Sequence, residues 1–64
     1  MILNGKIFNL SDEINIFDFL KSQNYSIDRV AVELNGSIIP KAKFKDTVLK
    51  DNDKIEVVNF VGGG

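Results

Sequence analysis

Apolar and polar positions along the chain form a pattern that predicts two hairpins. Short apolar runs flank the Asn-Gly pairs at 4–5 and 35–36. An Asn-Gly pair between apolar segments is the strongest short signal for a tight β-hairpin turn. We therefore expect one hairpin over residues 1–10, and a second that joins Val30–Leu34 to a strand returning to Pro40. Because Pro40 lacks a backbone N–H, it should stand at the end of an edge strand.

Between the hairpins, the apolar spacing predicts a short helix. Ile16, Phe17 and Leu20 recur at helical spacing, which places them on one face. Asn15 precedes them and has a side chain suited to the N-cap position, so the helix should begin after Asn15 and end near Ser22. Packing rather than intrinsic propensity must stabilise a helix this short.

The rest of the chain completes an α+β fold. Residues 41–49 predict a single helical turn with Phe44, Val48 and Leu49 in the core, and residues 51–53 predict a turn. The alternation over residues 54–60 predicts a last strand, which finds partners between the two hairpins, beside the first strand. The expected fold is a β-grasp (ubiquitin-like) domain: a mixed sheet of four to five strands across one main helix.

Composition then restricts the possible functions. A chain of 64 residues forms one small domain. It contains no Cys and no His, which excludes thiol chemistry, disulfides and the commonest general base. The net charge of −1 gives little attraction to nucleic acid, and no apolar run is long enough to cross a membrane. The N-terminus shows no basic segment leading into an apolar signal region. We therefore expect a cytoplasmic protein that binds neither nucleic acid nor membrane.

The last residues predict a tail. We expect a domain of residues 1–60 followed by Val-Gly-Gly-Gly at 61–64, a flexible segment because each glycine is costly to order. Fully extended, it spans about 13 Å and could enter a channel too narrow for side chains. The Gly64 carboxylate is ionised at neutral pH, so it reacts as an acyl donor only after activation, usually as an acyl adenylate. The alternative is a frayed end without chemical function.

Four segments carry a resemblance to a known family: residues 32–36 (VELNG), 38–41 (IIPK), 51–56 (DNDKIE) and 61–64 (VGGG). Together they resemble the ThiS family of sulfur carriers in thiamine biosynthesis, along essentially the whole chain. In that family the stretches read V-x-L-N-G-x-x-V-P-R, then D-G-D-x-I-E, then a glycine pair. The chain departs from this pattern at Lys41, Phe44 and Asn52, where Arg, Trp and Gly are usual. None of these departures lies in the tail.

The resemblance implies a carrier rather than an enzyme. An adenylating enzyme of the ThiF type would use Mg-ATP to convert the Gly64 carboxylate into an acyl adenylate. A persulfide sulfur donor would then leave a thiocarboxylate on Gly64, and a thiazole synthase of the ThiG type would take up that sulfur. Gly62 and Gly63 would let the tail thread into its partners. The chain itself would bind no cofactor and no metal.

Strand alternation also predicts a surface for docking the adenylating enzyme. Ile2, Val58 and Phe60 should point away from the helix, on neighbouring central strands, with Val61 at the root of the tail. An exposed apolar cluster on a small domain often marks a protein interface. The alternative is that the chain's own loops cover some of these side chains.

Other functions use the same terminal carboxylate. A thiocarboxylate carrier for molybdopterin synthesis needs the same chemistry, although proteins of that family are usually longer. A ubiquitin-like modifier would instead join Gly64 to lysines through isopeptide bonds. A β-grasp interaction domain whose tail has no function is a further alternative.

Overall fold

The computed structural model of the chain describes residues 1–60. The predicted tail of residues 61–64 lies outside the described residues, so its flexibility stays a prediction. Within these residues, one helix, two 3₁₀ helices and seven short strands follow one another. In order they are β1 (Ile2–Leu3), β2 (Lys6–Ile7), β3 (Ile14–Asn15), α1 (Ile16–Ser22), a 3₁₀ helix (Ile27–Arg29), β4 (Val30–Leu34), β5 (Ser37–Ile39), a second 3₁₀ helix (Lys41–Asp46), β6 (Val48–Leu49) and β7 (Lys54–Asn59).

The main sheet has five strands in the order β2-β1-β7-β4-β5. Strand β7 pairs parallel with β1 and antiparallel with β4, while β1–β2 and β4–β5 are antiparallel hairpins. The last strand therefore lies between the two hairpins, as predicted. Strands β3 and β6 form a separate two-stranded sheet that the sequence pattern did not predict.

The helix is capped as its sequence predicts. The Asn15 Oδ1 atom accepts a hydrogen bond from the Asp18 backbone N–H at 2.8 Å, and its Nδ2 atom donates to Asp18 Oδ2 at 2.9 Å. Ile16 and Leu20 are buried, and Phe17 is partly buried and packs against the core. Phe19, which is also buried, was not predicted from the sequence. Phe17 lies at the flank of α1, where the ammonium groups of two lysines approach its ring. Within residues 1–60, no helix is long and apolar enough to span a membrane.

The core lies between α1 and one face of the main sheet. It consists of apolar side chains from the helix, the central strands, the second 3₁₀ helix, β6 and the N-terminus. Its buried members are Met1, Ile16, Phe19, Leu20, Val30, Val32, Phe44, Leu49, Ile55 and Val57. Ile55 and Val57 are two of these, which confirms the predicted inward positions of the last strand.

The segment from 41 to 49 differs from its prediction. It forms the 3₁₀ helix Lys41–Asp46, which buries Phe44, and then β6, which buries Leu49. The prediction that Val48 lies in the core is wrong, since its side chain is 44% exposed. Neighbouring residues of a strand point to opposite sides, so burial of Leu49 turns Val48 outward.

The lysine that begins the second 3₁₀ helix forms an exposed ion pair. Lys41 Nζ donates a hydrogen bond to Asp28 Oδ1 at 2.7 Å. This hydrogen bond, reinforced by the positive charge of Lys41, holds the pKa of the Asp28 carboxyl below its ordinary value. Lys41 thereby ties the segment after β5 to the 3₁₀ helix before β4.

Candidate functional site

The last described residue is held firmly to the main sheet. The Phe60 backbone N–H donates to the Arg29 carbonyl oxygen at 2.7 Å, beside the first residue of β4. Strand β7 therefore keeps its pairing up to the residue from which the predicted tail departs. Val61, Gly62, Gly63 and Gly64, which the sequence assigns to that tail, lie outside the described residues.

Two turn asparagines fix the path of β7. Asn4 Oδ1 accepts from the Val57 backbone N–H at 2.7 Å, and Asn4 Nδ2 donates to the Val57 carbonyl oxygen at 3.3 Å. Asn35 Oδ1 accepts from the Lys54 backbone N–H at 2.9 Å. Both asparagines have a φ of 50°, a conformation that Asn tolerates better than most residues. The sequence identified them as turn residues but gave no sign that they also hold β7.

Replacing Asn4 with Gly should destabilise the domain. Glycine accepts the positive φ, so the variant removes the two hydrogen bonds to Val57 without adding backbone strain. We expect the free energy of unfolding to fall by about 1–2 kcal/mol, measured by urea denaturation. Asn24→Gly is the control, since Asn24 also has a positive φ of 63° and its side chain holds no strand. Equal losses in the two variants would show that the bonds to Val57 contribute nothing.

The face of the main sheet opposite α1 carries an exposed apolar surface. Val58 and Phe60 are 59% and 55% exposed, which confirms that both side chains point outward. Ile38 on β5 is 75% exposed, and Ala31 pairs directly with Val58. We define the docking face as Ala31, Ile38, Val58 and Phe60. Ala31 and Ile38 were not predicted from the sequence, because only the pairing of β4 with β5 and β7 brings them to this surface.

Ile2 also points to the outer side of the sheet, but it lies elsewhere on that side. It pairs with Lys54 at the beginning of β7 and with Ile7 on the edge strand. Val58 lies four positions after Lys54 along β7, which corresponds to about 13 Å. The prediction that Ile2 lies next to Val58 and Phe60 is therefore wrong, because side-chain alternation fixes the face of a residue and not the register of its strand.

A shallow hollow of about 100 Å³ opens on the docking face. Its apolar lining comes from Ala31, Ile38 and Val58, together with Val32. Two carboxylates, Glu33 of β4 and Glu56 of β7, also line it and are direct partners across the two strands. No third Asp, Glu, His or Cys joins them, in the part of the chain that the structure describes, to form a group suited to a metal ion.

Comparison with known proteins decides the family. The sequence profile of the ThiS family matches residues 1–64. The sulfur carrier protein ThiS of Bacillus subtilis (strain 168) is 43% identical over 63 residues, which cover 97% of this chain and 96% of that protein. The chain belongs to the ThiS family. The predicted sulfur carrier of thiamine biosynthesis is confirmed by this membership.

A solved ThiS structure confirms the fold as well. The crystal structure of the thiamine biosynthesis protein ThiS from Geobacter metallireducens superposes with a TM-score of 0.85 at 32% identity. The match covers 98% of this chain and 96% of that one. The mixed sheet with one main helix is therefore the β-grasp fold of the ThiS family, as predicted.

A thiazole synthase is also similar to this ThiS-family chain. The enzyme from Paramagnetospirillum magneticum (strain ATCC 700264 / AMB-1) is 34% identical over 64 residues, which cover 100% of this chain and 20% of that protein. The chain thus spans a fifth of the length of that enzyme. A domain similar to the whole chain is covalently part of a thiazole synthase.

Proposed function

We propose that this chain carries sulfur as a thiocarboxylate on Gly64 and delivers it for formation of the thiazole ring of thiamine. The observation that carries the proposal is the 43% identity with a sulfur carrier protein along almost the whole of both chains. The family profile also extends through Gly64. A carrier of this kind is a substrate of its partner enzymes, so its own chain needs no catalytic side chain.

The proposed cycle begins with activation of the carboxylate. An oxygen of the Gly64 carboxylate attacks the α-phosphorus of ATP on an adenylating enzyme of the ThiF type, and pyrophosphate leaves. The Mg²⁺ and ATP belong to that enzyme. The acyl adenylate that forms has a good leaving group, AMP, where the carboxylate had none.

Sulfur then replaces AMP in two steps. The terminal sulfur of a protein cysteine persulfide attacks the Gly64 carbonyl carbon and displaces AMP, leaving an acyl disulfide. A thiol reductant cleaves that sulfur–sulfur bond, which oxidises the thiol and leaves a thiocarboxylate on Gly64. The thiazole synthase then takes up this sulfur, and we propose that these steps occur in the cytoplasm.

The similarity of this chain to part of a thiazole synthase supports the proposal that a thiazole synthase receives the sulfur. A domain that is covalently part of a thiazole synthase stays close to the enzyme that would receive its sulfur. A separate chain must instead bind the synthase and the adenylating enzyme in turn. Such alternating contacts require a recognition surface near the root of the tail.

We assign recognition of the adenylating enzyme to the docking face. Phe60 is its member nearest the tail, held by the hydrogen bond to Arg29, and Val58 lies two residues before it on the same side of the strand. Exposed apolar clusters of this kind are typical of protein interfaces. Binding through this face would keep the start of the tail at a constant distance from the enzyme surface.

Replacing Val58 with Asp should weaken this docking. A carboxylate at position 58 would lose its hydration in the interface without a partner, while in the free protein it stays in water. We expect the Kd for the adenylating enzyme to rise at least about tenfold, measured by isothermal titration calorimetry. Val48→Asp is the control, because Val48 is also exposed, at 44%, but lies on β6 rather than on the docking face. Equal Kd values for wild type and Val58→Asp would remove the docking face from the proposal.

Reconstitution tests the proposed activity. The chain is incubated with the ThiF-type enzyme of the same organism, Mg-ATP and labelled pyrophosphate. Exchange of label into ATP that depends on the chain supports reversible adenylation of Gly64. Absence of exchange would contradict the proposal, and isopeptide adducts on other proteins in cell extract would favour a modifier instead.

A further inference from the structure

A pair of like charges borders the docking face, and neither of its members forms an ion pair within residues 1–60. Glu33 and Glu56 are both half-buried and directly opposite each other across β4 and β7. The ion pairs found within residues 1–60 join the N-terminal amine to Asp51 and Lys41 to Asp28. Lys54 lies on the same side of β7 and lines a second hollow with both glutamates, but its ammonium group is not within 4.0 Å of either carboxylate. Like charges directly opposite in a sheet are destabilising, so the pair costs the free protein stability.

The hollow beside this pair joins an apolar surface to negative charge. Ala31, Ile38 and Val58 supply apolar contacts, and the Glu33 and Glu56 carboxylates supply acceptors next to them. Such a site suits a side chain with an apolar stem and a cationic head. Arginine suits it better than lysine, because its planar guanidinium has five N–H donors and can bridge two carboxylates.

We propose that this hollow receives an arginine side chain of the adenylating enzyme. The inference rests on the proposed docking of that enzyme and identifies the chemistry that its surface must present: an arginine surrounded by apolar residues. The aliphatic stem packs on Ile38 and Val58, and the guanidinium lies between the two glutamates. Repulsion between the carboxylates in the free protein is relieved when the cation enters, so the pair favours the bound state.

The double variant Glu33→Gln, Glu56→Gln separates recognition from stability. Removing the repulsion should raise the melting temperature of the free protein. Removing the acceptor charges should raise the Kd for the ThiF-type enzyme about tenfold and flatten the dependence of Kd on salt concentration. A purely structural function of the glutamates would not move stability and affinity in opposite directions.

A matched control keeps the same change in net charge. The double variant Asp12→Asn, Glu13→Gln removes two exposed carboxylates from the loop beside α1, on the other side of the sheet. It should leave both Kd and its salt dependence unchanged. If both double variants weaken binding equally, the effect comes from overall charge and the inference is wrong.

Three further outcomes complete the test. Unchanged Kd and salt dependence in the Glu33, Glu56 variant would overturn the arginine site, even if Val58→Asp still weakens docking. If the Glu33, Glu56 variant bound the thiazole synthase more weakly but kept its Kd for the adenylating enzyme, the hollow would serve the thiazole synthase. The proposal that it receives an arginine of the adenylating enzyme would then be wrong. Failure of the wild-type chain to support pyrophosphate exchange would instead contradict the proposed function, and is recognised separately because it needs no variant.

Discussion

Deletion of Gly64 should abolish adenylation of the chain while leaving the domain folded. The deletion moves the terminal carboxylate back by one residue, about 3.3–3.6 Å, whereas a misplacement of about 1 Å can already cost on the order of a hundredfold in rate. We therefore expect pyrophosphate exchange to fall to background. Addition of a single Phe after Gly64 should do the same, because it both displaces the carboxylate and adds a side chain to the tail.

The fold provides the control for both tail variants. Within residues 1–60, hydrogen bonds hold β7 as far as Phe60, and both variants leave every one of these residues unchanged. Melting temperature by circular dichroism should thus equal that of the wild type. Adenylation of the deletion variant at the wild-type rate would contradict the assignment of the reactive carboxylate to Gly64.

Truncation of Phe44 to Ala should unfold a large part of the population. Phe44 is 1% exposed and anchors the second 3₁₀ helix, which packs against α1. Removing a buried phenyl ring costs about 3–5 kcal/mol, and a small domain has a total stability near the lower end of the range of about 5–15 kcal/mol. Urea denaturation followed by circular dichroism measures the loss.

Val48→Ala is the control for this prediction. Val48 lies four residues from Phe44 in the same segment but is 44% exposed. Its truncation should change the free energy of unfolding by less than about 1 kcal/mol. Similar losses at the two positions would show that burial of Phe44 does not stabilise the 3₁₀ helix.

Local sequence signals predicted the fold wherever neighbouring residues determine the structure. The two Asn-Gly pairs sit at hairpin turns, and Asn15 caps the helix with its own side chain. Alternation in β7 correctly separated buried Ile55 and Val57 from exposed Val58. Each of these features depends on residues close together in the chain.

Contacts between distant segments could not be predicted in the same way. The pairing of β3 with β6 gives no signal in the sequence of either segment. Val48 was therefore predicted in the core, because the alternation of its strand was not recognised. Ile2 lies at the far end of β7 from Val58 because β1 and β7 pair in parallel at Lys54 and Ile55. Alternation within a strand carries no information about such a register.

The candidate site likewise combines residues that local signals predict with residues that depend on pairing between distant segments. Val58 and Phe60 were found from alternation, whereas Ile38 and the Glu33–Glu56 pair required the register of β5, β4 and β7. The chemistry assigned to Gly64 came from family resemblance, since glycines at 62–64 alone are also typical of a frayed end. Glycines support a prediction of the reach and flexibility of the tail. They do not predict that its terminal carboxylate becomes a thiocarboxylate.

Intact-mass spectrometry with C-terminal fragmentation tests the central proposal most directly. The chain is purified from cells that make thiamine, or from a reaction with the adenylating enzyme, Mg-ATP, a persulfide donor and a thiol. We predict a species heavier by the difference between one sulfur and one oxygen atom, with the added mass confined to the fragment that contains Gly64. An unchanged mass under both conditions, or added mass located in a fragment of residues 1–60, would contradict it.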